Sequence, residues 1–190
     1  MKVRYLGHAC FKVTSSHYSI IIDPYKDVNG FNDINNTANE VLCSHSHADH
    51  AFTDGVELLK GHSPFTVEKI ECFHDEVMGT KRGKNMIHVL TAEDKKVVHL
   101  GDLGHLLDEE TVNKLKDCYI LMVPVGGFYT IGPKEAIKII EDLNPKYVIP
   151  MHYKDEDLGL GALADIKEFL SLYTKDNLLL VRGYEKEIEL

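Results

Sequence analysis

No run in this chain approaches the roughly 18 consecutive apolar residues of a membrane span, so no membrane partner is expected. Positive charge is scarce. Lys and Arg number 21 against 30 Asp and Glu, a formal net charge of −9. Non-specific nucleic-acid binding needs a basic footprint, and this balance argues against such a partner. The four cysteines, Cys10, Cys43, Cys72 and Cys118, form no CxxC pair, and scattered thiols of this kind are expected to be buried and reduced. Low-complexity and Pro/Ser-rich linkers are absent as well. Residues 1–190 therefore read as one domain, long enough for one packed core and short for two. The opening MKVRYLGHACFKV lacks the apolar block and small-residue cleavage site of a secretory signal, so a cytoplasmic location is expected.

What the chain has is an ordinary globular composition, 44% apolar and 27% charged, and eleven histidines. Lys2–Leu6, Cys10–Thr14 and Tyr18–Ile22 are β-branched or aromatic runs broken by turn residues, and they read as strands. Residues 26–39 read as a surface loop, and Glu40–Cys43 as a short strand. Lys69–Phe73 is strand-like. Met86–Leu90 and Lys96–Leu100 suggest a hairpin around Glu93-Asp94. Asp108 suits a helix N-cap, and Tyr119–Val125 a buried strand. Pro133 opens a helix whose Ala136, Ile137, Ile140 and Leu143 make one stripe. Tyr147–Ile149 predicts a strand, Leu163, Ile166, Leu170 and Tyr173 a last helix, and Leu178–Val181 a final strand. Hairpins followed by strand–helix units predict an α+β fold with helices outside the sheets, a four-layer αββα sandwich.

Ser44-His45-Ser46-His47-Ala48-Asp49-His50 packs four ligand-type side chains into six positions. On extended backbone His45 and His47 share a face and can reach one ion. A turn at Asp49-His50 can send both toward a second. Imidazole and carboxylate suit zinc, manganese or iron.

HxHxDH resembles the signature of the metallo-β-lactamase superfamily. Further features fall in that family's order: His74 after a strand, Asp102 in Leu100-Gly101-Asp102-Leu103-Gly104, and His152 after Val148-Ile149-Pro150-Met151. The resemblance implies the αββα fold and two divalent metal ions, zinc first and manganese as the alternative. It implies His45, His47 and His74 on the first ion, Asp49, His50 and His152 on the second, and Asp102 bridging. Leu6-Gly7-His8-Ala9, Asp23-Pro24, His74-Asp75-Glu76, Arg82-Gly83-Lys84-Asn85 and Pro150-Met151-His152-Tyr153 are similar to a branch of small hydrolases. That branch includes ascorbate-6-phosphate lactonase and, more distantly, N-acyl phosphatidylethanolamine phospholipase D.

The chemistry implied is hydrolysis of a small, anionic ester, lactone, thioester or phosphodiester by a hydroxide held between two metal ions, with Asp49 orienting it and taking its proton. Arg82 in its Gly-bracketed loop is the candidate for binding an anionic group, with Lys84 behind it. Asn85 is a second candidate substrate contact, or a residue that orders the loop. Tyr129 is a candidate electrophilic donor. His8 and Asp23 suit supporting roles beside the ligands, and His105 a structural one. Cys43 and Cys72 each precede a first-metal histidine by two positions and are read as buried spacers. The alternative reading is an iron-dependent oxidoreductase of the persulfide dioxygenase type on the same fold. A small-molecule substrate is the expected partner, and a homo-oligomer is compatible with the sequence.

Overall fold

The computed structural model describes residues 1–181 and 186–189. Its elements run β1 (Lys2–Gly7), β2 (Cys10–Ser15), β3 (Tyr18–Ile22), β4 (Asn36–Ala38), β5 (Glu40–Leu42), β6 (Val56–Leu58), β7 (Thr66–Phe73), β8 (Lys84–Ala92) and β9 (Lys95–His99). There follow α1 (Glu109–Leu115), β10 (Ile120–Pro124), α2 (Pro133–Leu143), β11 (Tyr147–Met151), α3 (Ile166–Leu172) and β12 (Lys186–Glu189). One sheet has the order β12-β1-β2-β3-β5, the other β11-β10-β9-β8-β7, and β4 pairs with β6 in a ribbon of its own.

Strand alternation explains the stacking. Val3, Tyr5, Phe11, Val13, Ile20 and Ile22 leave the first sheet on one face and meet Leu90, Val97, Ile120, Met122 and Ile149 of the second. The opposite face of the second sheet presents Ile87, Val89, Val98, Leu121 and Val123 to the three helices. Those helices bury Leu115 from α1, Ala136, Ile139, Ile140 and Leu143 from α2, and Ile166 and Phe169 from α3. Local chemistry sets their starts. Asp108 accepts from Thr111 N–H, Asp165 accepts from Lys167 N–H, and Pro133 occupies the first turn of α2.

The remaining outer face, carrying Leu6, Cys10 and Ile21, is covered by Tyr25, Val28 and Ile34 of a long loop and by Ala38 and Val56 of the ribbon. The α+β sandwich expected from the sequence is present, and its layer over the first sheet is irregular, with a single 3-10 turn at Thr53–Gly55. Two local expectations are corrected. The loop 26–39 ends in β4, and β6 had no counterpart in the sequence reading. Leu178–Val181 makes only one bridge, Val148 to Leu178, with Leu179 N–H donating to Val148 O. Its side chains do alternate, Leu178 and Leu180 toward the helices and Leu179 and Val181 between the sheets. Beyond the described part of this segment, β12 pairs with β1 in the first sheet.

Strand direction places the site. The two antiparallel pairings through β2, and the parallel pairing of β3 with β5, leave β1, β3 and β5 running the same way. In the second sheet β7, β9, β10 and β11 share one direction, with β8 returning the chain. The C-terminal ends of these seven strands meet at one rim, where His152 N–H donates to His8 O at 3.1 Å.

Candidate metal centre

Each chemistry-bearing residue follows a strand that ends at this rim. His8 follows β1, Asp23 follows β3 and His45 opens the turn after β5. From the second sheet come His74 after β7, Asp102 after β9, Tyr129 in the loop after β10, and His152 after β11. Three of them, His8, Asp23 and His152, take the left-handed region at φ 55°, 51° and 52°. Such conformations cost of order 1–3 kcal/mol each in non-glycine residues and collect at functional sites. Two glycines allow the loops to close. A side chain on Gly101 (φ 56°) would run into Asn85 and Ser44, and one on Gly126 into the carbonyl of His152.

The structure brings together all seven residues that the resemblance implied. Ligand atoms of His45, His47 and His74 lie within 4.8 Å of one another. A second set within the same limit contains Asp49, His50 and His152, together with His8. Asp102 lies between the sets. Its Oδ2 is 3.1 Å from His74 Nε2, 3.2 Å from His152 Nε2 and 3.9 Å from His45 Nε2, and its Oδ1 is 3.2 Å from His50 Nε2.

Partners behind the rings fix several of these imidazoles. His50 Nδ1 pairs with Asp23 Oδ2 at 2.9 Å, His45 Nδ1 with Ser44 Oγ at 2.9 Å, and His74 Nδ1 with Tyr129 O at 3.1 Å. Each such bond leaves Nε2 for the centre. Ser44 ties two of these together, donating to Asp23 from its N–H and its hydroxyl, both at 2.6 Å.

The donor set fits divalent cations. Nε2 of His45, His50 and His152 and Oδ1 of Asp102 are buried and have no hydrogen-bond partner. Polar atoms in that state cost free energy that a metal ion removes. Electrostatics points the same way. Burial would drive His50 neutral, but Asp102 and Asp23 hold its pKa well above the ordinary range. Asp102 is buried too, and attraction to His152 and His50 keeps its carboxyl well below the usual range. Burial and the neighbouring His50 bring His45 down to about 3. Without a metal His50 is the ring that carries the proton, while His45 is left neutral and Asp102 ionised, the states in which a cation is bound.

A cavity of about 370 Å³ opens over the centre, lined by His47, Asp49, His74, Arg82, Asp102, Tyr129, His152 and Leu160. Arg82 donates from Nη2 to Phe128 O at 3.0 Å, and its guanidinium lies 5.6 Å from the Tyr129 ring centroid. Its loop hangs on Asp75, whose Oδ1 accepts from Val77 and Gly79 N–H and whose Oδ2 accepts from Lys81 and Arg82 N–H. Burial alone would raise the Asp75 pKa, and these four donors bring it down to about 2.

The structure places Asn85 away from the cavity, so a substrate contact is not its role. Nδ2 donates to Leu100 O at 2.9 Å and to Cys72 Sγ at 3.1 Å, and Oδ1 accepts from Asp102 N–H at 2.9 Å. Asn85 sets the turn that presents Asp102. Lys84 pairs with Glu71 at 2.9 Å and does not line the cavity. His105 Nε2 accepts from Phe73 N–H at 3.2 Å, a structural contact. Burial pushes the thiols of Cys43 and Cys72 up to about 11, which keeps them protonated. Sequence reasoning gave no role to Asp75, Ser44 or Leu160. Only Asp75 left a signal, a carboxylate next to a candidate ligand histidine and just before a glycine-bracketed loop.

A double-sheet sandwich with a buried histidine–aspartate cluster at its strand ends defines the metal-dependent hydrolases of the metallo-β-lactamase fold. Residues 2–152 match the family described as the beta-lactamase superfamily domain, and the chain belongs to that metallo-β-lactamase superfamily. It is 30% identical to a UPF0173 metal-dependent hydrolase from Carboxydothermus hydrogenoformans, over 89% of this chain and 90% of that protein. A protein of the same description from Thermococcus onnurineus is 32% identical, over 80% and 84%. A solved structure from Thermotoga maritima, proposed to be a Zn-dependent hydrolase of the superfamily, superposes with a TM-score of 0.71 at 37% identity. The match covers 92% of this chain and 86% of that one.

Proposed function

We propose that this protein hydrolyses a small anionic ester, lactone or phosphodiester at a dinuclear metal centre. The carrying observation is the cavity itself, with His47, Asp49, His74, Asp102 and His152 around the cluster and Arg82 and Tyr129 at the same opening. His45, His47 and His74 would hold one ion, Asp49, His50 and His152 the other, and Asp102 would touch both. Bound divalent ions, zinc first and manganese as the alternative, would lower the pKa of a water toward neutrality and polarise the scissile group.

The chain's own residues supply the rest. Burial raises the Asp49 pKa, but His8 and His50 outweigh that and hold its carboxyl below the usual range, so it stands ionised. It can orient a water and accept its proton. Arg82 gives one N–H to Phe128 O and keeps further donors of its planar fork for a carboxylate or phosphate. The Tyr129 hydroxyl is the donor proposed for negative charge developing on the substrate. A cytoplasmic location belongs to the same reading, supported by four free cysteines.

Metal analysis of the purified protein, followed by a screen of lactones and phosphodiesters under the metal found, tests this. Hydrolysis that requires the metal is expected. Asp102→Ala should abolish it and release at least one ion. Full activity in that variant would sink the two-metal scheme.

A further inference from the structure

The scheme above gives His8 no metal contact, only an influence on Asp49, yet it is one of the most buried side chains at the rim. It is 1% exposed, and both Nδ1 and Nε2 are buried without a hydrogen-bond partner. It does not line the cavity, so it is not placed to touch a substrate. Its backbone is fixed in the left-handed region, its carbonyl accepting from His152 N–H at 3.1 Å and from the Tyr5 hydroxyl at 3.3 Å. The ring is packed 4.4 Å from that of His152 and 5.3 Å from that of His50, centroid to centroid. Its Nε2 lies 3.5 Å from Asp49 Oδ2.

Two accounts of that contact compete. A hydrogen bond to Asp49 would be long, since N–H···O bonds run to about 3.2 Å. Two atoms each about 2.1 Å from one zinc ion and roughly 90–120° apart stand about 3.0–3.6 Å apart, a range that includes the spacing seen. The grouping of ligand atoms agrees. The limit that gathers His45, His47 and His74 gathers His8 with Asp49, His50 and His152.

We propose that His8 Nε2 is a direct ligand of the second metal ion, an eighth ligand of the centre. The inference rests on the dinuclear reading. It makes the two sites unlike. The second has three imidazoles and a carboxylate besides Asp102, with His8 and His50 behind the cavity and Asp49 and His152 lining it. The first has three imidazoles, one of them from exposed His47. The second site is accordingly the tighter.

Zinc titration of the metal-free protein, by calorimetry and by metal counting after dialysis, is the test. His8→Asn keeps a residue that tolerates the left-handed region. It should weaken the second site at least tenfold and leave the first unchanged. Adding imidazole to His8→Gly should restore the second site. Two ions held by His8→Asn with wild-type affinity would overturn the inference, whatever happens to activity. A wild type that binds only one ion would overturn the dinuclear reading instead. Should both variants fail to fold by circular dichroism, the wild type decides. With cadmium bound and isotopically labelled histidine, six imidazoles coupled to metal are expected, and five would overturn the assignment.

Discussion

Asp23 shows how much of this centre depends on a residue that need not touch a metal. Its carboxylate is fully buried and takes two hydrogen bonds from Ser44 and one contact from His50. Burial raises its pKa, but His50, His99 and Ser44 more than offset that and keep it ionised. Asp23→Ala frees the His50 ring and should weaken metal binding about 10–100-fold, as losses of such partners do. Equilibrium dialysis against zinc would show it, and unchanged affinity would remove Asp23 from the centre. His88 presents the opposite case. It sits on β8 beside His99 of β9, fully buried with both ring nitrogens unpartnered. Burial brings its pKa down to about 4. The unfolded chain, with a histidine pKa near 6.5, therefore binds the extra proton first. Stability is full above about pH 6.5 and is lost as the pH falls toward 4. His88→Leu removes both costs. Urea unfolding should show it about 1–3 kcal/mol more stable at neutral pH, with a shallower acid decline. Equal losses in the two proteins between pH 7 and pH 5 would contradict this.

The segment from His74 to Gly83 behaves as one element, because the Asp75 carboxylate satisfies four of its backbone N–H groups. Asp75→Ala should leave Arg82 without a fixed position. For an anionic substrate the KM is expected to rise tenfold or more at unchanged metal content, while a neutral analogue shifts little. Equal effects on both substrates would show that the loop does not serve charge recognition. This unit also marks what was legible in the sequence. Its glycines and Arg82 were visible; the turn that organises them was not, because four N–H groups converging on one carboxylate leave no periodic trace. Long strands and all three helices could be read, since alternation, stripes and caps are local. The ribbon could not. β4 and β6 are three residues each, and Glu57 and Leu58 of β6 are exposed. Asn85 was misassigned for a related reason. Its position next to the Arg82 loop says nothing of which sheet face it takes, and the register opposite Cys72 points it behind the centre. The candidate ligands were legible because few residue types can serve and each lies in a segment that follows a strand.

At the scale of the whole molecule, the buried unpartnered nitrogens make folding and metal loading one equilibrium. A ligand present at a thousand times its Kd stabilises a protein by about 4 kcal/mol. At about 2–4 °C per kcal/mol for a domain of this size, chelation of one such ion should lower Tm by on the order of 10 °C. Calorimetry with and without chelator would measure it, and an unchanged Tm would mean that no ion is held tightly. The net charge of −9 acts in the same direction, since cations relieve part of the chain's self-repulsion. The shared strand direction has another outcome, at the far end of the sandwich. There Glu93 takes the chain's amino terminus at 2.6 Å and the Ser15 hydroxyl at 2.6 Å, beside the tight turn Glu93-Asp94. Among the described residues, none of these lines the cavity. An Asp94→Cys handle, with the partly buried Cys43 changed to Ser, would let the molecules be tethered to a surface in one orientation, the mouth toward the solution, with turnover the same as in the free Cys43→Ser protein.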